Sequence, residues 1–224
     1  MRNIRRILRI TLFVLFGMLL HYALPQKDVA RITGTDTIRQ DFSSFNRWFF
    51  AQADSGNVEA ENRDVLFITV VRQQTYLFGL IRGGDDVMVY RNEDTGWIWP
   101  PYFKFDTRDL QGEAQDLVST AEAPKWVTIT HYGWRNRFFT IFPNAIAVKQ
   151  IDGPDYRPFP WFNLFFFVFL TIGGLFIRAM WMQFRERTLD PIADRAGDKL
   201  DHVNADIAKR RGRIRRWLDS WKTK

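Results

Sequence analysis

The sequence predicts an α+β fold: two transmembrane helices flank an extracytoplasmic, mainly antiparallel β domain with one helix, and a basic helical tail follows. Three observations predict it. The stretch Trp161 to Trp181 is apolar and free of charge until Arg178. A second apolar run follows an arginine-rich start. Between them the chain breaks into short β-rich runs punctuated by Gly, Pro, Asn and Asp. Charge orders these parts. Residues 1–9 carry +4, residues 27–160 carry −3 and residues 178–224 carry +6, within a total of +7. Basic flanks around a mildly acidic middle place both termini in the cytoplasm under the positive-inside rule. The expected organisation is 1–24 as stub and first span, 25–160 as the extracytoplasmic domain, 161–182 as second span and 183–224 as tail. The expected location is a cell inner membrane, with the middle domain periplasmic.

The first run, Ile10 to Leu24, has 15 residues, and including Ile7, Leu8 and a snorkelling Arg9 brings it to 18, near the lower limit for crossing a bilayer. A cleaved signal peptide needs small residues one and three positions before the cut. Ala23 has His21 at the second of these positions, so retention as an anchor is expected. His21 and Tyr22 then suit the outer interface, and Pro25 ends the helix.

The middle is long enough for its own core. Strands are expected at 29–38, 64–71, 76–81, 87–91, 126–132, 138–142 and 145–151. Gly83-Gly84-Asp85-Asp86 reads as a hairpin turn and Pro143-Asn144 as another tight connection. One helix is expected from Thr107 to Ser119, since Leu110, Ala114, Leu117 and Val118 recur at helical spacing. Asp106 is its expected N-cap.

Two long motifs stand out, YRNEDTGWIWPPYFKFD at 90–106 and HYGWRNRFFTIFPNA at 131–145. With HYALPQ (21–26), NRWFF (46–50), LVST (117–120) and PWFN (160–163), they resemble a family of uncharacterised bacterial two-span membrane proteins that carry a domain of unknown function. The resemblance covers roughly residues 20–165 and leaves out the basic tail. The family pattern has Gly between the tryptophans of the first motif, where this chain has Ile98. What the resemblance implies is a two-span architecture, with no catalytic residue to transfer.

The candidate binding surface is Trp97, Trp99, Tyr102, His131, Tyr132, Trp134 and Arg135, because aromatic faces and guanidinium groups suit a sugar, lipid or peptide. The same aromatics also suit a core corner. Nucleic acid is not expected as a partner of a domain outside the cytoplasm. His131, Asp85, Asp86, Glu93 and Asp94 are the groups available for acid–base work, but no nucleophile elbow, metal-ligand spacing or phosphate loop accompanies them. No catalytic, cofactor-binding or metal residue is therefore named, and the chain has no cysteine.

In the tail, Arg210, Arg211, Arg213, Arg215, Arg216, Trp217 and Trp221 read as a basic amphipathic helix against anionic lipid headgroups. The alternative is a coiled coil with a heptad seam through Leu189, Ala196, Val203 and Trp217, which Arg210 interrupts. A binding or assembly module held near the bilayer is the expected role, with the bilayer and another membrane protein as partners. The alternative is a cell-envelope enzyme acting on lipid or glycan near the membrane surface.

Overall fold

The computed structural model describes residues 2–43, 46–50, 62–76, 81–97 and 99–220. Among these residues the fold is mixed α+β, with five strands and two helices long and apolar enough to cross a membrane. Two compact units divide the chain, Met1–Leu164 and Phe165–Lys224.

In the first unit, α1 (Arg2–Ala23) leads into β1 (Gln26–Asp41). Then come β2 (Asn62–Tyr76), β3 (Ile81–Asn92), α2 (Thr107–Asp116), β4 (Trp126–Tyr132) and β5 (Asn144–Gln150). The strands close into a barrel in the order β1-β2-β3-β5-β4. Every pairing is antiparallel except the single parallel bridge from Arg91 on β3 to Asn144 on β5. A five-stranded closed barrel with one helix inserted between β3 and β4 has the plan of an OB-type barrel.

Period-two alternation fills the barrel. Ala30 and Ile32, Ile68 and Val70, Met88 and Tyr90, Val127 and Ile129 all turn inward, and α2 adds Leu110 and Ala114 to the same core. Burying each large aliphatic side chain stabilises the fold by about 1.5–3 kcal/mol relative to leaving it exposed. Ser119, just beyond α2, donates its amide to the Ile32 carbonyl, which ties the end of the helix to β1.

Several local expectations need correction. Gly83 to Asp86 lie inside β3, which starts at Ile81. The β2–β3 connection falls at residues 77–80, outside the described residues, so the strand expected over 76–81 is divided between the end of β2 and the start of β3. Gly83 sits beside a register shift between Gln73 and Thr75. A Cβ there would come within 3.2 Å of Gln74, so the glycine accommodates a bulge rather than a turn.

Residues 138–142 form no strand, only an isolated bridge between Asn136 and Ile141. The Asn136 carboxamide accepts from the Phe138 and Phe139 amides, and that local bonding competes with a ladder. Asp106 makes no side-chain cap on α2. Asp94 supplies it from a distance, its Oδ1 accepting from the Thr107 amide (3.0 Å) and hydroxyl (2.6 Å). The helix ends at Asp116, while Leu117 and Val118 still pack on the core.

The other apolar helix, α3 (Trp161–Phe184), begins at the end of the first unit and continues into the second. It passes through a π-helical turn, Arg185–Leu189, into α4 (Asp190–Ser220). Pro191 clashes with a regular helical ladder and provides no amide hydrogen; the wider turn just before it lets the helix carry on. No part of the most apolar stretch of α1 or α3 is buried, which sets them apart from core helices.

Candidate functional site

The aromatic motifs converge on the last turn of α1. Gly133, at φ +92°, donates its amide to the Tyr22 carbonyl at 2.9 Å, and an L-residue rarely adopts that backbone angle. Trp134 follows, its Nε1–H donating to His21 Nδ1 at 3.0 Å and its ring standing edge-on to Tyr22 at 5.3 Å. Tyr132 and Phe49 meet Tyr22 edge-on as well, at 6.1 and 5.8 Å. Tyr102 stacks on Tyr132 at 4.9 Å and donates its hydroxyl hydrogen to the Ala23 carbonyl. That bond satisfies one of the carbonyls a helix end leaves open. Burial pushes the phenols of Tyr102 and Tyr132 above their ordinary range, so both stay neutral; the Tyr132 hydroxyl accepts from the Asn144 carboxamide at 3.3 Å. Asn163, at the start of α3, donates to the Pro25 carbonyl at 2.9 Å.

The loop bearing the first motif is closed at its base, where the Thr95 and Gly96 amides both donate to the Lys104 carbonyl. Its tip projects. Trp97 is 82% exposed and packs edge-on to Phe103 at 4.8 Å, and Trp99 is 63% exposed. Trp48, 86% exposed, and Trp99 line a small recess with Tyr22, Phe49 and Tyr132. Ile98 lies outside the described residues.

The predicted surface therefore divides. Tyr102, Tyr132 and Trp134 form a collar around the end of α1, and Trp97 and Trp99 stand out from the domain. His131 belongs to neither set: it is buried, which corrects its place on a binding surface. Arg135 is half-buried, donates to the Ile141 carbonyl at 2.8 Å and lies 4.1 Å from the centre of the Phe142 ring.

His131 points into the barrel, where its Nε2 lies 3.0 Å from Asp28 Oδ2. Asp28 also accepts from the Tyr90 hydroxyl, the Arg72 guanidinium and, at 2.7 Å, the Thr75 hydroxyl. Sequence reading missed Asp28, Arg72, Thr75 and Tyr90. Burial pushes the Asp28 carboxyl upward, but His131, Arg72 and Tyr90 outweigh it and hold the group well below the usual carboxylate range. Tyr90 is driven upward by burial and by the Asp28 charge.

A second buried network joins the ends of β3 and β5. Arg91 pairs with Glu93 at 2.8 Å and faces the Phe50 ring at 5.0 Å; Glu93 also pairs with Arg63. Asn144 accepts from the Glu93 amide and donates to its carbonyl, both at 3.0 Å. Lys104 is 4% exposed, and its ammonium donates to the Asn92 side chain and, at 2.9 Å, to the Ala145 carbonyl. Burial pulls it down to about 8, against the smaller upward influence of Asp106, Asp94 and Glu93.

Among the described residues, two surface clefts flank these networks. One, of about 770 Å³, lies between α2 and the strands and is lined by charged groups including Arg63, Asp64, Glu93 and Asp109. The other, of about 460 Å³, lies between the β2–β3 arm and the loop after β4. Neither is lined by His131 or Asp28. Among the described residues no group of three His, Cys, Asp or Glu has metal-binding geometry.

In the tail, Arg210, Arg211, Arg213 and Arg215 are exposed along α4. Trp221 lies outside the described residues, as do the side chains of Arg216 and Trp217.

Fold and site together define a small closed β-barrel carried on an apolar helix whose end it grips. The chain belongs to the family described as Protein of unknown function (DUF1523), which matches residues 1–185. It is 32% identical over 171 residues to an uncharacterised protein of Haemophilus influenzae, a match covering 75% of this chain and 87% of that one. No solved structure matches it.

Proposed function

We propose that this is a two-pass inner-membrane protein with both termini in the cytoplasm, its barrel on the periplasmic side acting as a binding or assembly module at the bilayer surface. The observation that carries this reading is the collar. His21, Tyr22 and Ala23 at the end of an exposed apolar helix are bonded or packed to Trp134, Tyr132 and Tyr102 of the barrel, so the barrel has little freedom to move away from that helix. Such a join is what a retained anchor needs. The exposed Trp48 and Trp99 next to Tyr22 suit the headgroup layer, where amphipathic rings concentrate. The exposed arginines of α4 suit an anionic inner leaflet. Another membrane protein is the partner class that a barrel held at this height would meet, and nucleic acid lies on the wrong side.

An envelope enzyme is favoured by one observation, the 3.0 Å approach of His131 to Asp28. Both groups are buried, however, and Asp28 is already engaged by three further donors. OB-type barrels serve many functions, so the fold itself assigns none.

Fluorescence in nanodiscs containing lipid brominated near the headgroup tests the membrane-surface reading. Bromine quenches nearby indoles, and Trp48→Phe/Trp99→Phe is expected to lose part of the quenched signal of the nine tryptophans. An unchanged quenched signal in the double variant would place these rings away from the bilayer.

A further inference from the structure

The 460 Å³ cleft carries unbalanced charge. Arg72, Arg135 and Arg137 line it with one carboxylate, Asp86. Arg72 is committed to Asp28. Arg137 approaches Asp86 only to 3.8 Å, with its side chain 76% exposed, and so open a pair contributes little. Arg135 is different. It is half-buried and bonded to the carbonyls of Asn136 and Ile141 and to the face of Phe142. Among the described residues no carboxylate is paired with it. Burial and then the Arg137 charge press its guanidinium below the usual range, the electrostatic situation that a bound anion relieves.

The position of the cleft narrows the class of anion. Arg135 follows Trp134, which is bonded to His21, and Gly133, which is bonded to the Tyr22 carbonyl. One wall of the cleft, from Arg135 to Phe138, therefore follows directly on the residues that hold the end of α1. Its lining also presents apolar surface, with Phe138 97%, Val87 58% and Tyr76 55% exposed. Guanidinium groups match the oxygens of a phosphate, often in pairs. Beside them, an apolar rim suits the glycerol and first methylenes of a lipid.

We infer that this cleft binds a phosphate group, presented as the phosphodiester headgroup of an anionic phospholipid. The lipid as source rests on the membrane reading above; a free phosphate offers the same oxygens. Calorimetric titration of the full-length protein in neutral detergent separates the two. The probes are dihexanoyl phosphatidylglycerol, dihexanoyl phosphatidylcholine and inorganic phosphate. The expected result is saturable binding of the phosphatidylglycerol, and weaker binding of the phosphatidylcholine, whose phosphodiester is the same but whose choline cation is repelled by the arginines. The phosphatidylglycerol binding is expected to weaken about tenfold or more in Arg135→Gln and Arg137→Glu. Arg137 is exposed, so Arg137→Glu tests the cleft even if Arg135→Gln disturbs the loop. Inorganic phosphate binding as well as the lipid, with the same loss in both variants, supports the phosphate site and names a soluble source. Absence of saturable binding by either anion, or binding unchanged in both variants, overturns the inference. Because the titration is done in detergent, it is independent of membrane crossing, which carbonate extraction of native membranes reads separately.

Discussion

Replacing Asp28 by Ala is expected to destabilise the barrel by about 3–5 kcal/mol, because removing one partner of a buried ion pair leaves the others uncompensated. Asp28 is 1% exposed and receives Arg72, Tyr90, Thr75 and His131. Its loss strands a phenol and an imidazole inside the barrel and leaves the Arg72 guanidinium, 15% exposed at the cleft wall, without its partner. A domain of this size has only about 5–15 kcal/mol of stability in total, so the variant should sit near the edge of folding. Asp28→Asn keeps the shape and part of the bonding, and is expected to cost less. Guanidinium unfolding in detergent, followed by near-ultraviolet circular dichroism, measures both. A loss below about 1 kcal/mol for Asp28→Ala would mean the cluster is not a stabilising centre. The pH dependence has a fixed sign. The folded carboxyl lies below its ordinary 3.8, so the unfolded chain binds more protons as acid is added. The Asp28 contribution is complete above that value and fades as the pH falls through the depressed folded value.

Lys104 has the second largest expected effect, and its pH dependence lies at the alkaline end. Its ammonium is held at about 8 in the fold against 10.5 ordinarily. Below pH 8 both states carry the charge, and the folded state bears the full cost of burying it. Above pH 8 the folded state releases its proton while the unfolded chain keeps one, so stability rises with pH. From about pH 7 to pH 9.5 the barrel should gain about 2 kcal/mol from this group. The range stops there because unfolded tyrosines ionise near 10 and reverse the trend. Thermal melts across the range check it, with Lys104→Met expected to flatten the rise. An equal rise in Lys104→Met would assign the effect to other groups.

The apolar helices were legible because length and lack of charge suffice to mark them. The strands were legible where one face is apolar, as along Val127 and Ile129. They were lost where both faces are wet, as at Gly83 to Asp85, where a bulge glycine has the same signature as a turn. Much of the site was within reach too. Asp28 is in phase with the inward-facing Ala30 and Ile32, Arg72 with Ile68 and Val70, and His131 with Val127 and Ile129. Charge in an inward phase marks a buried polar cluster, and that signal was available from the alternation alone. The collar was not, because bringing His21 to Trp134 joins residues 113 apart through the closure of β1 on β4. Nor was the Asp94 cap of α2, which reaches across 13 residues and displaces the adjacent Asp106.

The central claim is the disposition of the barrel and tail on opposite sides of a bilayer. The chain has no cysteine, so single cysteines report cleanly. One replaces Ile38, 51% exposed on β1 of the barrel, and another replaces Val203, 55% exposed on α4. In cells with a permeabilised outer membrane and an intact inner one, a membrane-impermeant maleimide is expected to label Ile38→Cys at once. Val203→Cys should label only after the inner membrane is opened. Immediate labelling of Val203→Cys with protection of Ile38→Cys, or equal labelling of both, would contradict the account.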